Sequence, residues 1–251
     1  MSIHILLVGE SWVTTSTHYK GFDFFSSTTY ALGSDALVAA LQQAGVRVTH
    51  QPSHIAAREF PLVLEELLGF DAIILSDIGA NTLLLHPEVF LAGKRIPNRL
   101  TLIKEYVREG KGLIMAGGYL SFQGIYGSAR YKRTPIAEVL PVELLELDDR
   151  VEVPEGVEPR VSGVKHPITE NLEATWPFLL GFNELRAKPE GEVLATVGKY
   201  PLLVAGSFGT GRSVAWASDV GPHWCPQEFV EWPGYARLWT QIVEWVSGER
   251  R

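Results

Sequence analysis

Residues 3–8, IHILLV, form a β-branched and almost uninterrupted apolar run at the start of the chain. A strand with this pattern is buried on both faces, as the strands of parallel sheets are. A segment with helical spacing follows over 34–44 and ends at Gly45, and 46–50 then repeats the buried-strand pattern. The first fifty residues therefore predict two parallel strands joined by a helical crossover.

The rest of the first half continues this alternation. Buried-strand patterns recur at 72–76 and 112–116, and helical segments at 61–68 and 100–109 precede them. A chain that alternates strands and helices in this way forms a mostly parallel sheet covered by helices. We therefore predict an α/β fold.

The second half has a different pattern, because most of its short apolar runs follow one another without helices between them. These runs lie at 142–147, 192–197, 202–207 and 213–218. Such strands favour antiparallel pairing, and the turn-rich SFGTGR at 207–212 predicts a hairpin between two of them. A final amphipathic helix is predicted over 235–246.

The composition sets limits on the class of protein. The 251 residues are 46% hydrophobic and 20% charged, as in an ordinary globular protein, and we predict one domain over 1–251. A net charge of -7 disfavours nucleic acid as a partner. No apolar stretch approaches the roughly 20 residues that span a bilayer, and no signal-peptide pattern is present. A single cysteine, Cys225, suits a reducing compartment, so we expect a cytoplasmic protein without a membrane partner.

Two long polar connections, 10–30 and 219–233, follow the first and last predicted strands of the sheet. Long loops in compact domains are usually functional, and open parallel sheets bind ligands beyond the carboxyl ends of their strands. The residues that follow the strands are therefore the candidates for a site. They are Glu10, Ser11, Trp12, Asp77, Gly79, Asn81, Gly117, Gly118, Tyr119, Ser121, Asp219, His223 and Trp224.

Three of these residues are candidates for catalysis. His223 is the expected general base, because imidazole transfers protons near neutral pH and a Gly-Pro pair fixes its loop. Asp219 or Glu10 is its expected partner. The alternative for His223 is a structural hydrogen bond. The other candidates are predicted to contact a small polar ligand through hydrogen bonds and aromatic stacking.

Several of the candidates also have a structural interpretation. Asp77 and Asn81 would form an Asx turn and a helix cap as readily as a ligand contact. The pair at 117–118 suits either close approach of a ligand or a tight turn. Ser121 does not lie in a Gly-x-Ser-x-Gly motif, so a nucleophilic role has little support.

The remaining chemistry-bearing residues are weaker candidates. Convergence of His18, Asp77, Asp219 and His223 would create a metal site, but no local ligand spacing indicates one, and neither metal nor cofactor is predicted. Cys225 lies between Trp224 and Pro226, where nothing activates a thiol. The DDR sequence at 148–150 is interpreted as a solvated turn or an intersubunit ion pair.

Four motifs occur in order along nearly the whole chain: GESW at 9–12, SDIGANT at 76–82, GGYLSFQG at 117–124 and GPHW at 221–224. Together they resemble the uncharacterised bacterial proteins called putative glutamine amidotransferases. The resemblance implies a flavodoxin-like, three-layer α/β/α sandwich of the class I glutamine amidotransferase-like group. It implies a mostly parallel central sheet, to which the C-terminal half adds antiparallel strands.

The wider group, as the resemblance implies, releases ammonia from glutamine with a cysteine on an elbow after a central strand, helped by a histidine and a glutamate. Here the corresponding strand, 112–116, leads into Gly117-Gly118-Tyr119. Without the thiol there is no covalent acceptor for an acyl group. The polar and aromatic loops look similar to those of related domains associated with sugar metabolism, which bind ligands or assemble oligomers.

Three functions follow from these observations. The first is a binding module that holds a small polar metabolite, such as a sugar, and forms a homo-oligomer through aromatic loops. The second is a hydrolase or isomerase with His223 as general base. The third is glutamine amidotransfer with Cys225 as the nucleophile, which the loop sequence disfavours.

Overall fold

The computed structural model describes residues 2–249; Met1 and residues 250–251 of the predicted domain lie outside the described residues. The strands are β1 (His4–Gly9), β2 (Ser11–Lys20), β3 (Asp23–Leu32), β4 (Arg47–Gln51), β5 (Ala72–Ser76), β6 (Gly112–Ala116), β7 (Val142–Glu143), β8 (Arg150–Val157), β9 (Pro159–Val161), β10 (Leu179–Asn183), β11 (Arg186–Ala187), β12 (Glu192–Val197), β13 (Tyr200–Phe208) and β14 (Gly211–Trp216). The helices are α1 (Asp35–Gln43), α2 (Ser53–Glu59), α3 (Leu64–Leu68), α4 (Ala80–Leu84), α5 (Pro87–Phe90), α6 (Arg99–Arg108), α7 (Pro135–Val139), α8 (Gln227–Val230) and α9 (Pro233–Val246).

An eight-stranded sheet forms the centre of the molecule, in the order β4-β1-β5-β6-β14-β13-β12-β9. The first five strands of this order are parallel, and the last three are added antiparallel. This confirms the predicted α/β class, with a mostly parallel sheet and antiparallel additions from the C-terminal half. The predicted hairpin is also confirmed, since β13 and β14 pair through the turn at 209–210.

The order of the strands explains the helical layers. The chain passes from β1 outward to β4 and then returns across β1 to β5, so right-handed crossovers place α1 on one face and α2 and α3 on the other. Helix α9 packs against α1, while α6 packs with α3. Between β1 and β5 the direction of the strand order reverses, which is the point where open sheets of this kind bind ligands.

The core is continuous with the middle of the sheet. Every residue of β5 and β6 is buried, as the nearly uninterrupted apolar runs predicted. Burial of each large aliphatic side chain contributes roughly 1.5–3 kcal/mol. The carboxyl ends of these strands are therefore held rigidly, and the residues that follow them have fixed positions.

Most predicted elements of the central sheet are confirmed within two residues, but three expectations were wrong. The strand predicted at 142–147 is limited to Val142–Glu143, and the helix predicted at 61–68 begins only at Leu64. An additional helix, α2, precedes it. Strands β8, β9 and β11 were missed because they are only partly buried and lack a strong hydrophobic period, whereas β10 is mostly buried but short and interrupted by Gly181.

The connection predicted at 10–30 is a long hairpin. Strands β2 and β3 pair in register from Ser11 and Leu32 to Lys20 and Asp23, and nearly all their residues are exposed. The sequence analysis missed it because a ribbon with two solvated faces has no apolar alternation. Two features of the sequence do indicate this hairpin: its β-branched and aromatic residues, and the turn at Gly21.

The connection predicted at 219–233 is not a solvated polar loop. Trp224, Cys225 and Phe229 are fully buried in it, and it includes the short helix α8. No helix within residues 2–249 is long and apolar enough to span a membrane.

Candidate functional site

A cavity of about 330 Å³ lies at the carboxyl ends of β1, β5, β6 and β14. We call it the strand-end cavity. Its lining residues are Glu10, Trp12, Asp77, Tyr119, Asp219, Pro222 and His223. Four sequence segments that are far apart in the chain therefore meet at the reversal point of the strand order, and the lining residues include all three predicted catalytic residues.

Glu10 forms the floor of the strand-end cavity. It directly follows Gly9 of β1, has a left-handed backbone with φ of 50°, and is only 6% exposed. The Ser76 hydroxyl donates a hydrogen bond of 2.5 Å to Glu10 Oε2. Burial, with the negative charges of Asp77 and Asp219 nearby, raises the pKa of Glu10 to about 8. Glu10 is therefore protonated at neutral pH and has a proton to donate.

Asp77 occupies the equivalent position after β5 and also has a left-handed backbone, with φ of 42°. Non-glycine residues in this conformation are uncommon and are concentrated at functional sites. Its Oδ1 accepts a hydrogen bond of 2.7 Å from the Leu120 amide. Burial is the main cause that raises the pKa of Asp77 to about 6, and Asp219 adds to it.

Of the two alternatives for Asp77, the Asx turn does not form, because its carboxylate bonds to the loop after β6 instead of to its own turn, and the ligand contact stays a prediction. The helix α4 that follows is capped by Gly79 without any side-chain hydrogen bond. Asp77 thus connects two neighbouring strand ends across the strand-end cavity.

Asp219 and His223 form a hydrogen-bonded pair on the opposite wall. Asp219 Oδ2 accepts bonds from the Trp224 amide at 2.9 Å and from His223 Nδ1 at 3.1 Å. The bond to Asp219 raises the pKa of His223, although partial burial opposes this. The imidazole is half exposed, and the pairing of Nδ1 leaves Nε2 available to a ligand.

The side of the strand-end cavity is aromatic. The Tyr119 ring lies edge-on to His223 at 4.8 Å and to Trp224 at 5.5 Å. Glu152 accepts hydrogen bonds from the Tyr119 hydroxyl at 3.0 Å and from Trp224 Nε1 at 2.9 Å, and the Arg150 guanidinium lies 5.0 Å from the centre of the Tyr119 ring. Arg150 and Glu152 were missed by the sequence analysis because they belong to the unpredicted strand β8.

Gly118 separates the two acids of the strand-end cavity. Its φ is 132°, and a Cβ built there would lie 2.9 Å from Oδ1 of both Asp77 and Asp219. Its amide donates to Asn183 Oδ1 at 3.0 Å. Asn183, on the unpredicted strand β10, is a further residue of the site that the sequence did not indicate. Gly118 thus makes a tight turn and leaves room for the side chains of Asp77 and Asp219, while close approach of a ligand stays a prediction.

The interpretation of 148–150 as a solvated turn was wrong for Asp149, which is 1% exposed. Its carboxylate accepts hydrogen bonds from the amides of Gln123 and Gly124 and from Asn183 Nδ2. It thereby holds the loop after β6, on which Gly118 and Tyr119 stand. Asp148 and Arg150 form an ion pair of 2.8 Å within the same chain, and the intersubunit ion pair stays a prediction.

Besides the glycine pair at 117–118, five further predicted site residues do not line the strand-end cavity. Ser11 accepts a hydrogen bond from the Ser53 amide, and the Ser121 hydroxyl accepts one from the Asp77 amide. Trp224 is fully buried behind the cavity wall. Gly79 packs near Ala129.

The fifth of them, Asn81, borders a second cavity of about 490 Å³. Gln123 and the basic residues Arg130, Lys132 and Arg133 also line that cavity. None of the three acids of the strand-end cavity, Glu10, Asp77 and Asp219, lines this second cavity.

The metal site considered from the sequence does not form among residues 2–249, where no three His, Cys, Asp or Glu side chains are arranged to hold a metal ion. His18 lies on the exposed hairpin, stacked on Phe25 at 4.6 Å. Cys225 is fully buried, and this burial raises the pKa of its thiol well above the usual value. A thiol in this state is a weak nucleophile.

Comparison with known proteins gives consistent matches. A family model described as "Putative glutamine amidotransferase" matches residues 4–248. The cytoplasmic protein STM1381 of Salmonella typhimurium LT2 is 45% identical, with a TM-score of 0.94 over 97% of this chain and 99% of its own. The cytoplasmic protein STM3548 of Salmonella typhimurium is 42% identical, with the same TM-score over 98% and 99%.

A ThuA-like protein of Parabacteroides merdae shares the fold at 12% identity, with a TM-score of 0.59 over 99% of this chain and 91% of its own. No curated protein matches the chain.

Proposed function

The chain belongs to the family described as "Putative glutamine amidotransferase", and on that premise we propose that it is a binding module for a small, hydroxyl-rich metabolite, such as a sugar. The ligand would occupy the strand-end cavity. The proposal includes assembly as a homo-oligomer and a cytoplasmic location, the compartment named for the two Salmonella relatives.

The observation that carries the proposal is the convergence of three carboxyl groups on one small cavity, where the pKa values of Glu10 and Asp77 are raised to different extents. With a pKa of about 8, Glu10 is a hydrogen-bond donor at neutral pH, whereas Asp77, with a pKa of about 6, is mostly an acceptor. Neighbouring hydroxyl groups of one ligand can satisfy both kinds of group. A ligand carboxylate or phosphate would instead face the negative charge of Asp77, which disfavours it.

The aromatic side of the cavity and its size agree with this ligand class. Trp12, which is 41% exposed, and Tyr119 offer ring surfaces on which the apolar face of a sugar can pack. A volume of about 330 Å³ is at the lower end of the range for ligand sites, roughly 300–1,000 Å³. The expected ligand is therefore about the size of a monosaccharide.

The proposal excludes ammonia release by a cysteine. The segment that follows β6 is Gly117-Gly118-Tyr119, and the only cysteine of the chain is Cys225. Cys225 is buried and its thiol is held in the protonated form, so it supplies no thiolate to attack glutamine.

We expect His223→Ala to weaken ligand binding about tenfold, since one hydrogen bond to a polar ligand contributes roughly 1.4 kcal/mol when a charged group takes part. The measurement is a thermal-shift screen of monosaccharides, polyols, amino acids and carboxylates, followed by calorimetric titration of the ligands that stabilise the protein. His54→Ala, at an exposed histidine outside the cavity, is the matched control and should bind like the wild type. Stabilisation by carboxylates alone would contradict the proposed ligand class.

A second candidate function is acid–base catalysis on the same ligand class, in a hydrolase or isomerase. The pair of His223 and Asp219 is arranged as an oriented base, and protonated Glu10 as an acid. The same ligands would then be converted, and His223→Ala would abolish turnover. Binding without conversion would leave the binding module as the function.

We expect no release of ammonia from glutamine above the background of a blank, in either the wild type or Cys225→Ser. The reason is that the buried thiol of Cys225 stays protonated, so no thiolate is present to attack glutamine. The measurement is a coupled ammonia assay with both proteins at equal concentration. Activity in the wild type that Cys225→Ser removes would overturn this part of the proposal.

A further inference from the structure

We propose that the hairpin formed by β2 and β3, Ser11–Lys20 and Asp23–Leu32, is an arm that binds a second copy of this chain. We call it the arm. The inference rests on the assembly included in the proposed function, and it names the surface responsible. It does not depend on which ligand the strand-end cavity takes.

The arm is almost wholly solvent-exposed. Its middle consists of serine and threonine on both strands, and its tip is aromatic. At the tip, Phe22 is 107% exposed and Tyr19 is 78% exposed, and Phe24 and Phe25 are more than half exposed. Scattered exposed apolar residues are normal on a protein surface, but a cluster of this size marks an interaction surface.

The exposed area is of the size that a stable interface needs when the partner covers both faces of the arm, since Trp12 and Phe25 lie on one face and Tyr19, Phe24 and Tyr30 on the other. Six aromatic residues of the arm, Trp12, Tyr19, Phe22, Phe24, Phe25 and Tyr30, are between 41% and 107% exposed. With about 200 Å² for each fully exposed side chain, these residues leave on the order of 800 Å² of aromatic surface in water. A standard interface buries roughly 800 Å² on each partner.

The shape of the arm also requires a partner. An isolated two-stranded hairpin is marginally stable in water, and both outer edges of this one have free backbone donors and acceptors. Cross-strand hydrogen bonds between side chains, such as the one between Thr17 Oγ1 and Ser26 Oγ at 3.2 Å, add little to the stability of the arm. Pairing with another strand or packing on another surface would stabilise it.

The charges indicate that the partner is a second copy. The arm has one lysine, Lys20, and one aspartate, Asp23, paired in register, so two arms do not repel one another. The net charge of -7 and the single lysine disfavour an anionic membrane or a nucleic acid. An identical edge of serine and threonine pairs with itself around a two-fold axis without a charge conflict.

The arm also begins at the strand-end cavity. Its second residue, Trp12, lines that cavity. An interface made by the arm would therefore border the proposed ligand site and connect assembly with the shape of its entrance.

The test is the mass of the full chain in solution, measured by sedimentation velocity over a concentration series. The variant replaces three aromatic residues at the tip, Tyr19→Ser, Phe22→Ser and Phe24→Ser. We expect an oligomer for the wild type and at least tenfold weaker association for the variant. Because all three side chains are exposed, the circular dichroism spectrum should remain close to that of the wild type, while the thermal midpoint should fall only by the contribution of association.

The control is Phe90→Ser with Leu91→Ser, which removes two side chains that are 71% and 78% exposed elsewhere on the surface. It should associate like the wild type. A wild-type monomer at every concentration would overturn both the arm and the proposed assembly. An oligomer that the tip variant leaves unchanged, or that the control weakens equally, would overturn the arm alone. The ligand screen on the tip variant tests ligand binding independently.

Discussion

Gly118→Ala is expected to lower the free energy of unfolding by about 3 kcal/mol and to abolish ligand binding in the strand-end cavity. Two costs combine at this position. The φ of 132° is almost restricted to glycine, and the new methyl group would approach the Oδ1 atoms of Asp77 and Asp219 to 2.9 Å. Relief of that contact must move either the acids or the loop that holds Tyr119. Both movements change the site.

Gly45→Ala separates the backbone cost from the steric cost. Gly45 also has a positive φ, of 84°, but no atom lies within 4 Å of a Cβ built there. Gly45→Ala should lower the free energy of unfolding by only about 1 kcal/mol and leave ligand binding unchanged. Chemical denaturation and calorimetric titration of both variants provide the comparison. Equal effects of the two substitutions would show that the crowding around Gly118 has no energetic consequence.

The central sheet could be predicted from the sequence because its strands are buried on both faces. Runs such as 72–76 and 112–116 are continuously apolar, and their bounds are confirmed to the residue. The hairpin at 11–32 could not be predicted in the same way, because neither of its faces is buried. Hydrophobic periodicity reports burial, and a solvated ribbon has none.

The residues of the candidate site also fall into two groups, those that the sequence predicts and those that it does not. Glu10, Asp77, Asp219 and His223 could be predicted, since each follows a strand whose end is obvious in the sequence. Asp149, Asn183 and Glu152 could not, because they act through contacts between segments more than twenty residues apart. Such residues support the loop after β6 and the aromatic side of the cavity, and only the three-dimensional arrangement identifies them.

A second large effect is expected on the pH dependence of stability, through Glu10. Its pKa of about 8 in the folded protein lies above its ordinary value of 4.5, so the folded state binds the proton more tightly than the unfolded state. The Glu10 contribution is therefore fully present below pH 4.5. It declines as the pH rises from 4.5 to about 8 and is constant above that.

Glu10→Gln should remove this dependence, because the amide is neutral at every pH and can still accept the Ser76 hydrogen bond. Each pKa unit corresponds to about 1.4 kcal/mol, and a shift of this size amounts to several kcal/mol. We expect wild type and variant to have similar unfolding free energies at pH 5. At pH 8.5 we expect the variant to be more stable by about 2–4 kcal/mol, measured by urea denaturation.

Asp71→Asn is the control, because the pKa of Asp71 is shifted in the direction opposite to that of Glu10. Although burial opposes it, hydrogen bonds from the His4 amide and Lys111 hold the pKa of Asp71 below its ordinary value of 3.8. Its contribution is lost only as the pH falls below that value, so the difference from wild type should be constant between pH 5 and 8.5. If Glu10→Gln shows the same flat difference, Glu10 is ionised in the folded protein. The strand-end cavity would then lack the proton donor on which its preference for hydroxyl-rich ligands depends.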